Sequence, residues 1–217
     1  TAVHGVPTMF SAMLASSEFD GKPIKSLRTG IMAGSQCPEV LMRRVLYDLG
    51  CSEITIAYGM TETSPISFQS DVNDPVDVRV STVGRIQPHC EVKIVEHDGS
   101  TCAVGQTGEL WTKGYLVMKG YWNDTEATQS SIENGWMKTG DLATIDNKGF
   151  CRIVGRKKDM VIRGGENIYP AELEEFLTAQ KGILEAHVFG IPDEKFGEQL
   201  VAWIIAEEGT PLDETSI

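Results

Sequence analysis

The 217-residue sequence lacks any apolar run of the roughly 18 residues that a membrane-crossing helix needs. It also lacks paired-cysteine motifs. Cys37, Cys51, Cys90, Cys102 and Cys151 are odd in number, widely spaced and nowhere arranged as C-x-x-C, which argues against a disulfide framework or a zinc site and for a reducing interior. Positive charge is scarce: 19 Lys and Arg stand against 31 Asp and Glu, a net −12. That balance argues against a nucleic-acid partner held through its phosphates. There are no internal repeats and no low-complexity tracts. The chain has no Met at Thr1 and no visible targeting segment, and the sequon Asn123-Asp124-Thr125, without a signal peptide, reads as a chance surface match. Pro211 to Ile217 reads as a helix just beginning, with Asp213 as its N-cap. The sequence is therefore expected to be cut short at both ends.

What is present is enough for a packed core, with 41% hydrophobic and 23% charged residues. The first part alternates helix and strand. Thr8 to Ser16 and Pro38 to Leu49 have helical apolar spacing, the latter closed by Gly50. Leu27 to Met32 and Ile54 to Tyr58 read as strands. Such alternation predicts an α/β layer on a parallel sheet. After about Val83 the pattern becomes short strands separated by turns at Asp98-Gly99, Gly105 and Asn147-Lys148-Gly149. They are Glu91 to Glu96, Gly108 to Thr112, Asp141 to Ile145 and Phe150 to Val154, and they predict a small antiparallel, barrel-like subdomain. Beyond a charged cluster at Gly155 to Asp159 a new unit starts. It has a strand at Met160 to Ile162, a helix at Pro170 to Thr178 burying Leu173, Phe176 and Leu177, and strands at Ala186 to Ile191 and Gln199 to Ala206. The predicted class is α/β with an appended small β-barrel-like subdomain, followed by the start of a small α+β carboxyl-terminal domain. The expected division is 1–157 and 158–217.

Four segments carry groups suited to phosphate or sugar chemistry. Tyr58-Gly59-Met60-Thr61-Glu62-Thr63 follows a strand, at the end where open α/β sheets bind ligands. Gly59 permits close backbone approach, Thr61 offers a hydroxyl to a phosphate oxygen, and Glu62 a hard carboxylate suited to Mg²⁺. A polar turn with Glu62 in solvent is the plain alternative. In Thr139-Gly140-Asp141 one carboxylate can accept from two vicinal hydroxyls, although an Asp opening a strand after a Gly turn is as simple a reading. In Gly155-Arg156-Lys157-Lys158-Asp159, Arg156 can grip a phosphate with two N–H groups, or be an exposed basic turn. Gly164-Gly165, in Arg163 to Pro170, permits unusual dihedrals beside a substrate, or makes an ordinary turn.

Each segment alone is weak, but their order and spacing are specific. Together with Gly108 to Trp122 and Gly135 to Asp141 they resemble the adenylate-forming superfamily of acyl-CoA synthetases, coumarate-CoA ligases, luciferases and peptide-synthetase adenylation domains, over essentially the whole chain. The finer texture is most similar to the mitochondrial medium-chain acyl-CoA synthetases. That resemblance implies ATP, Mg²⁺ and CoA, a fatty acid as substrate, and a location in the mitochondrial matrix. It implies contact of Thr61 with the α-phosphate and of Glu62 with Mg²⁺. Tyr58 and Gly59 would lie beside adenine, Asp141 on the ribose hydroxyls, and Arg156 on ribose and phosphate. Gly34 and Ser35, in a Gly34-Ser35-Gln36 loop that departs from the common Gly-Gly-Ala, would border adenine and the acyl group. Lys158 falls at the hinge position, Gly164 and Gly165 on the CoA side, and His4 in the acyl-tunnel segment. The superfamily's Ser/Thr/Gly-rich phosphate loop has no counterpart before Tyr58, and its catalytic lysine falls beyond Ile217, so this stretch alone is expected to be nearly inactive. Two other readings stay open: a non-catalytic nucleotide-binding fragment, and an adenylation domain that loads a carrier protein.

Overall fold

The computed structural model describes residues 1–207 and 209; the helix expected from Asp213 lies outside them. Strands β1 (Ala2–Gly5), β2 (Thr29–Ala33) and β3 (Glu53–Gly59) pair in parallel, with helices α1 (Pro7–Ala15) and α2 (Glu39–Tyr47) as crossovers. Pro7 at the first helical position starts α1. In α2, Leu41, Met42 and Val45 face the core, while Glu39 pairs with Arg43 one turn on at 2.6 Å. Gly50, at φ +78°, then turns the chain toward β3. Ile54, Thr55, Ile56 and Ala57 are buried in succession. An unbroken run of this kind marks a strand covered on both faces. Phe10, Met32, Met42, Val45, Leu49 and Ile54 form the core between helices and sheet. Burial of a single such side chain contributes about 1.5–3 kcal/mol.

Strand β4 (Ile66–Gln69) runs back antiparallel on β3. After helix α3 (Val76–Ser81), β5 (Arg85–Ile86) completes a five-stranded sheet in the order β1-β2-β3-β4-β5. The second sheet is the expected barrel-like part and curls into a half-barrel. It holds β6 (Cys90–Val95), β7 (Gly108–Gly114), β9 (Trp136–Ile145) and β10 (Cys151–Arg156), in the order β10-β9-β7-β6. Helix α4 (Thr125–Ser131) and the short β8 (Ile132–Glu133) precede β9, and β8 pairs with it. Phe68 from the first sheet and Ile94, Leu110, Ala143 and Cys151 from the second share one core. Backbone bonds from Val83 to Cys151 (2.8 Å) and back from Cys151 to Gly84 (2.9 Å) tie the two sheets.

The third sheet has the order β12-β11-β14-β13. It comprises β11 (Val161–Arg163), β12 (Glu166–Ile168), β13 (Ile183–Asp193) and β14 (Gly197–Ala206), with helix α5 (Pro170–Thr178) between β12 and β13. The chain falls into two compact units. One is Thr1–Thr139 with Ala143–Ile153; the other is Gly140–Leu142 with the chain from Val154 onward.

Three expectations need correcting. Thr139-Gly140-Asp141 does not open a strand: β9 begins at Trp136, because Met137 and Leu142 both find buried sites and Gly140, at φ +72°, lets the strand continue between them. The Gly164-Gly165 segment is a turn, but it joins two paired strands, β11 and β12, rather than leading straight into the helix. Phe176 is 63% exposed rather than buried. At 100° per residue the inward face of α5 runs through Pro170, Leu173, Glu174 and Leu177, and Phe176 lies well off it. Glu174 is drawn inward because its carboxylate accepts from the Val188 backbone N–H at 2.8 Å.

All five cysteines are free. Burial pushes the thiols of Cys37 and Cys151 up to about 12, so almost none of either is thiolate near neutral pH. In the native protein, iodoacetamide should label the half-buried Cys90 and Cys102 first, and Cys37 and Cys151 only after denaturation. Peptide mass spectrometry checks this, and native labelling of Cys151 at the rate of Cys102 contradicts it.

Candidate functional site

In a parallel sheet every strand delivers its carboxyl end to the same edge. The register Gly5↔Met32 and Ala33↔Ala57 therefore brings three exits together: Gly5-Val6 after β1, Gly34-Ser35 after β2, and Gly59 to Glu62 after β3. Their proximity is direct, since a Cβ on Gly34 would meet Val6 Cγ1 at 3.1 Å. Ligands of open α/β sheets bind at such an edge. His4, by contrast, lies within β1 opposite Ile31, one residue short of that strand's end.

The turn after β3 is built by residues that carry no chemistry of their own. Gly59 has no room for a side chain, because a Cβ there would lie 1.6 Å from the Pro65 carbonyl oxygen. The close approach that Gly59 permits is thus first of all that of its own chain, folding back into β4. Thr63, 1% exposed, locks the turn: its hydroxyl oxygen accepts from the Met60 N–H at 3.2 Å and lies 3.2 and 3.3 Å from the Met60 and Pro65 carbonyls. Ser64 takes a left-handed conformation, φ +55°, and the chain re-enters the sheet at Ile66. Thr61 and Glu62 are left at the outside of a short 3₁₀ turn, Thr61 exposed and Glu62 half-buried. Tyr58, just before, packs edge-on against Phe68 with ring centroids 6.1 Å apart.

Sequence reasoning missed the group that holds Glu62. The Tyr121 hydroxyl donates to Glu62 Oε1 at 2.8 Å, and the Met118 N–H donates to the Glu62 backbone carbonyl at 2.8 Å. The hydrogen bond to Glu62 foremost, then burial, raises the Tyr121 phenol above its ordinary range. The pair is separated by 59 positions in sequence, so no local pattern reveals it. Among the described residues no cluster of three His, Cys, Asp or Glu could hold a metal. A single carboxylate nevertheless suits Mg²⁺, which keeps several waters and is bound through one or two carboxylates together with substrate phosphates. Glu62, with one oxygen engaged by Tyr121, fits that requirement, and the exposed Thr61 hydroxyl is its neighbour.

Two more predicted residues meet in the second unit. Arg156 Nε lies 3.4 Å from Asp141 Oδ1; the Asp141 side chain is 14% exposed and the Arg156 side chain 62%. An ion pair with one partner so exposed contributes about 0–1 kcal/mol. Lys158 is exposed in a single 3₁₀ turn, Lys157–Asp159. Gly164 and Gly165, at φ +61° and +90°, form the two-residue tip of the hairpin in which Arg163 pairs with Glu166. Two successive positive φ angles are what a type I′ turn requires. The tip is tied down: the Gly164 N–H donates to the Phe196 carbonyl at 2.8 Å, and the Arg163 guanidinium stacks 4.3 Å over the Phe196 ring.

The chain belongs to the AMP-binding enzyme family. The family profile described as AMP-binding enzyme matches residues 1–122, and that of the AMP-binding enzyme C-terminal domain matches residues 172–217. The protein YngI of Bacillus subtilis, named as an acyl-CoA synthetase, is 54% identical over 213 residues, which cover 96% of this chain and 38% of YngI. The mitochondrial medium-chain acyl-CoA ligase ACSF2 of Danio rerio is 46% identical over 211 residues, covering 96% of this chain and 35% of that protein. The crystal structure of ATP-bound MatB from Rhodopseudomonas palustris superposes with a TM-score of 0.89 at 32% identity, over all of this chain and 42% of MatB. The chain thus spans a little more than a third of the length of the curated relatives it matches.

The packing at Gly59 yields a prediction independent of catalysis. Gly59→Ala should lower stability by about 1–3 kcal/mol, the cost of overpacking, because the opposing atom is backbone and cannot swing aside. Gly165→Ala meets open space and should cost only the left-handed strain, about 1–2 kcal/mol. Urea unfolding of both variants measures this, and a Gly59→Ala protein as stable as the parent contradicts the crossing.

Proposed function

We propose that the enzyme containing this chain activates a carboxylic acid with ATP, giving acyl-AMP and pyrophosphate, and then transfers the acyl group to CoA. The observation that carries this reading is the carboxyl edge of the parallel sheet. There an exposed Thr61 hydroxyl and an oriented Glu62 carboxylate stand side by side on a turn locked by Gly59 and Thr63. In the first step a carboxylate oxygen of the acid attacks the α-phosphorus, the P–O bond to pyrophosphate breaks, and pyrophosphate departs. In the second step the CoA sulfur attacks the acyl carbonyl carbon, its proton is released, and the AMP oxygen leaves with the bonding pair. A carboxylate is a poor acyl donor and its mixed anhydride with AMP a good one. The protein's task is therefore mainly to position reactants and offset phosphate charge.

In this reading the Thr61 hydroxyl donates to an α-phosphate oxygen and Glu62 holds Mg²⁺, which when bound neutralises phosphate charge. Asp141 accepts from the ribose hydroxyls, and Arg156 donates to ribose and phosphate. Tyr58 and Gly59 flank the adenine; Gly34 and Ser35 border the adenine and the acyl group. The large domain runs to about residue 157 and the small domain follows, with Lys158 as the hinge and Gly164-Gly165 on the CoA path. A fatty acid of medium chain length and a mitochondrial location are supported by the likeness to ACSF2; a bacterial relative such as YngI supports only the acyl-CoA chemistry.

The test uses the full-length enzyme. A panel of straight-chain acids should drive ATP–pyrophosphate exchange, with the fastest rates at medium length. Asp141→Ala should raise the KM for ATP about tenfold, the equivalent of one lost charge-assisted hydrogen bond of about 1.4 kcal/mol, and leave the KM for the acid unchanged. Lys158→Pro should slow thioester formation more than adenylate formation. The 217-residue chain by itself should exchange next to nothing. An intact enzyme with no acid-dependent exchange sinks the proposal, and equal loss in both half-reactions sinks the hinge.

A further inference from the structure

Glu62 is held at both ends by one loop. Its backbone carbonyl accepts from the Met118 N–H and its Oε1 from the Tyr121 hydroxyl, each at 2.8 Å. Among the described residues no donor bonds to Oε2. A glutamate in water spreads over many rotamers, and fixing it costs conformational entropy. Here the folded chain has largely met that cost before any ligand arrives.

Tyr121 is fixed in turn. Its N–H donates to Thr128 Oγ1 at 2.9 Å, and that hydroxyl donates to the Asp124 carbonyl at 2.7 Å. Asp124 caps α4 by accepting from the Ala127 N–H at 2.8 Å. Gly120 allows this closeness, since a Cβ there would lie 2.8 Å from Thr128 Cγ2. A single line of hydrogen bonds therefore runs from the N-terminus of α4 through Thr128 and Tyr121 to Glu62. Tyr121 itself is 39% exposed, so little of its ring serves the core.

We propose that Tyr121 is a positioning residue that holds the Glu62 carboxylate with Oε2 turned toward the divalent cation of the nucleotide substrate, and that α4 holds Tyr121. The inference rests on the reading of Glu62 as the metal-binding carboxylate. Groups that orient a ligating carboxylate commonly change metal affinity by ten- to a hundredfold when removed.

The full-length enzyme tests it with Mn²⁺ as the probe. Mn²⁺ binding in the presence of an unreactive ATP analogue is read by electron paramagnetic resonance, and the Mg²⁺ dependence of pyrophosphate exchange is measured beside it. Tyr121→Phe keeps the ring and removes only the donor. It should raise the Mn²⁺ dissociation constant about tenfold. The Mg²⁺ concentration for half-maximal exchange should rise in parallel, with the KM for the acid unmoved. Thr128→Val, which keeps the shape but loses the link to Tyr121, should shift both in the same direction by less. Glu62→Gln separates the two ideas. If Glu62→Gln leaves Mn²⁺ affinity unchanged, the metal reading of Glu62 falls and the role of Tyr121 falls with it. If Glu62→Gln weakens Mn²⁺ binding while Tyr121→Phe does not, the metal reading stands and the positioning role is overturned.

Discussion

The chain must reverse direction within a few residues of β3 while leaving the Thr61 and Glu62 side chains at the outside of the turn, and the passage of the Pro65 carbonyl over Gly59 makes that possible. Any Cβ at position 59 would occupy the place of that oxygen. With the crossing made, the buried Thr63 satisfies Met60 and braces the turn, Ser64 turns left-handed, and β4 pairs back onto β3 from Ile66. Thr61 and Glu62 then have nowhere to be but outside. The placement of the candidate phosphate and metal groups is thus a by-product of sheet packing, and that packing is rigid because Phe68 of β4 sits in the core shared by two sheets.

The second group of polar residues follows a different logic. Asp141 lies in mid-strand beside a glycine of positive φ, and its side chain is largely covered, so it needs a partner. Arg156 supplies one at 3.4 Å while keeping most of its guanidinium in water. With Arg156 so exposed, the ion pair adds little to stability. Glu62 and Asp141 are both acidic side chains oriented by a donor from elsewhere in the chain, Tyr121 in one case and Arg156 in the other. In neither case does the neighbouring sequence disclose the donor.

The α/β layer was legible because its signals are local. The unbroken run from Ile54 to Ala57, Pro7 at the start of α1 and Gly50 after α2 each state a conformation within a few residues. The antiparallel strands around Asp98-Gly99 and Asn147-Lys148-Gly149 were legible through their turns. Strand β4 was not, because Ile66 to Gln69 is short and mixed and is made a strand only by β3 beside it. Strand β12 was missed because Gly164-Gly165 is compatible with several turns, and only the pairing of Arg163 with Glu166 decides among them. Phe176 was misplaced because apolar character alone does not say which face of α5 turns inward; the Glu174–Val188 bond does. Thr61, Glu62, Asp141 and Arg156 could be put forward as candidates from motif order. Thr63 and Tyr121 could not, since their value lies in tertiary hydrogen bonds.

The central proposal is that the segment after β3 and the Asp141–Arg156 pair each take part in binding ATP. Hydrogen–deuterium exchange of the full-length enzyme, followed across a titration with ATP and Mg²⁺, tests it most directly. The account predicts that amides in 59–64 and in 139–142 with 154–158 become protected together, along a single saturation curve. Protection of one segment while the other exchanges as in the free enzyme would contradict it.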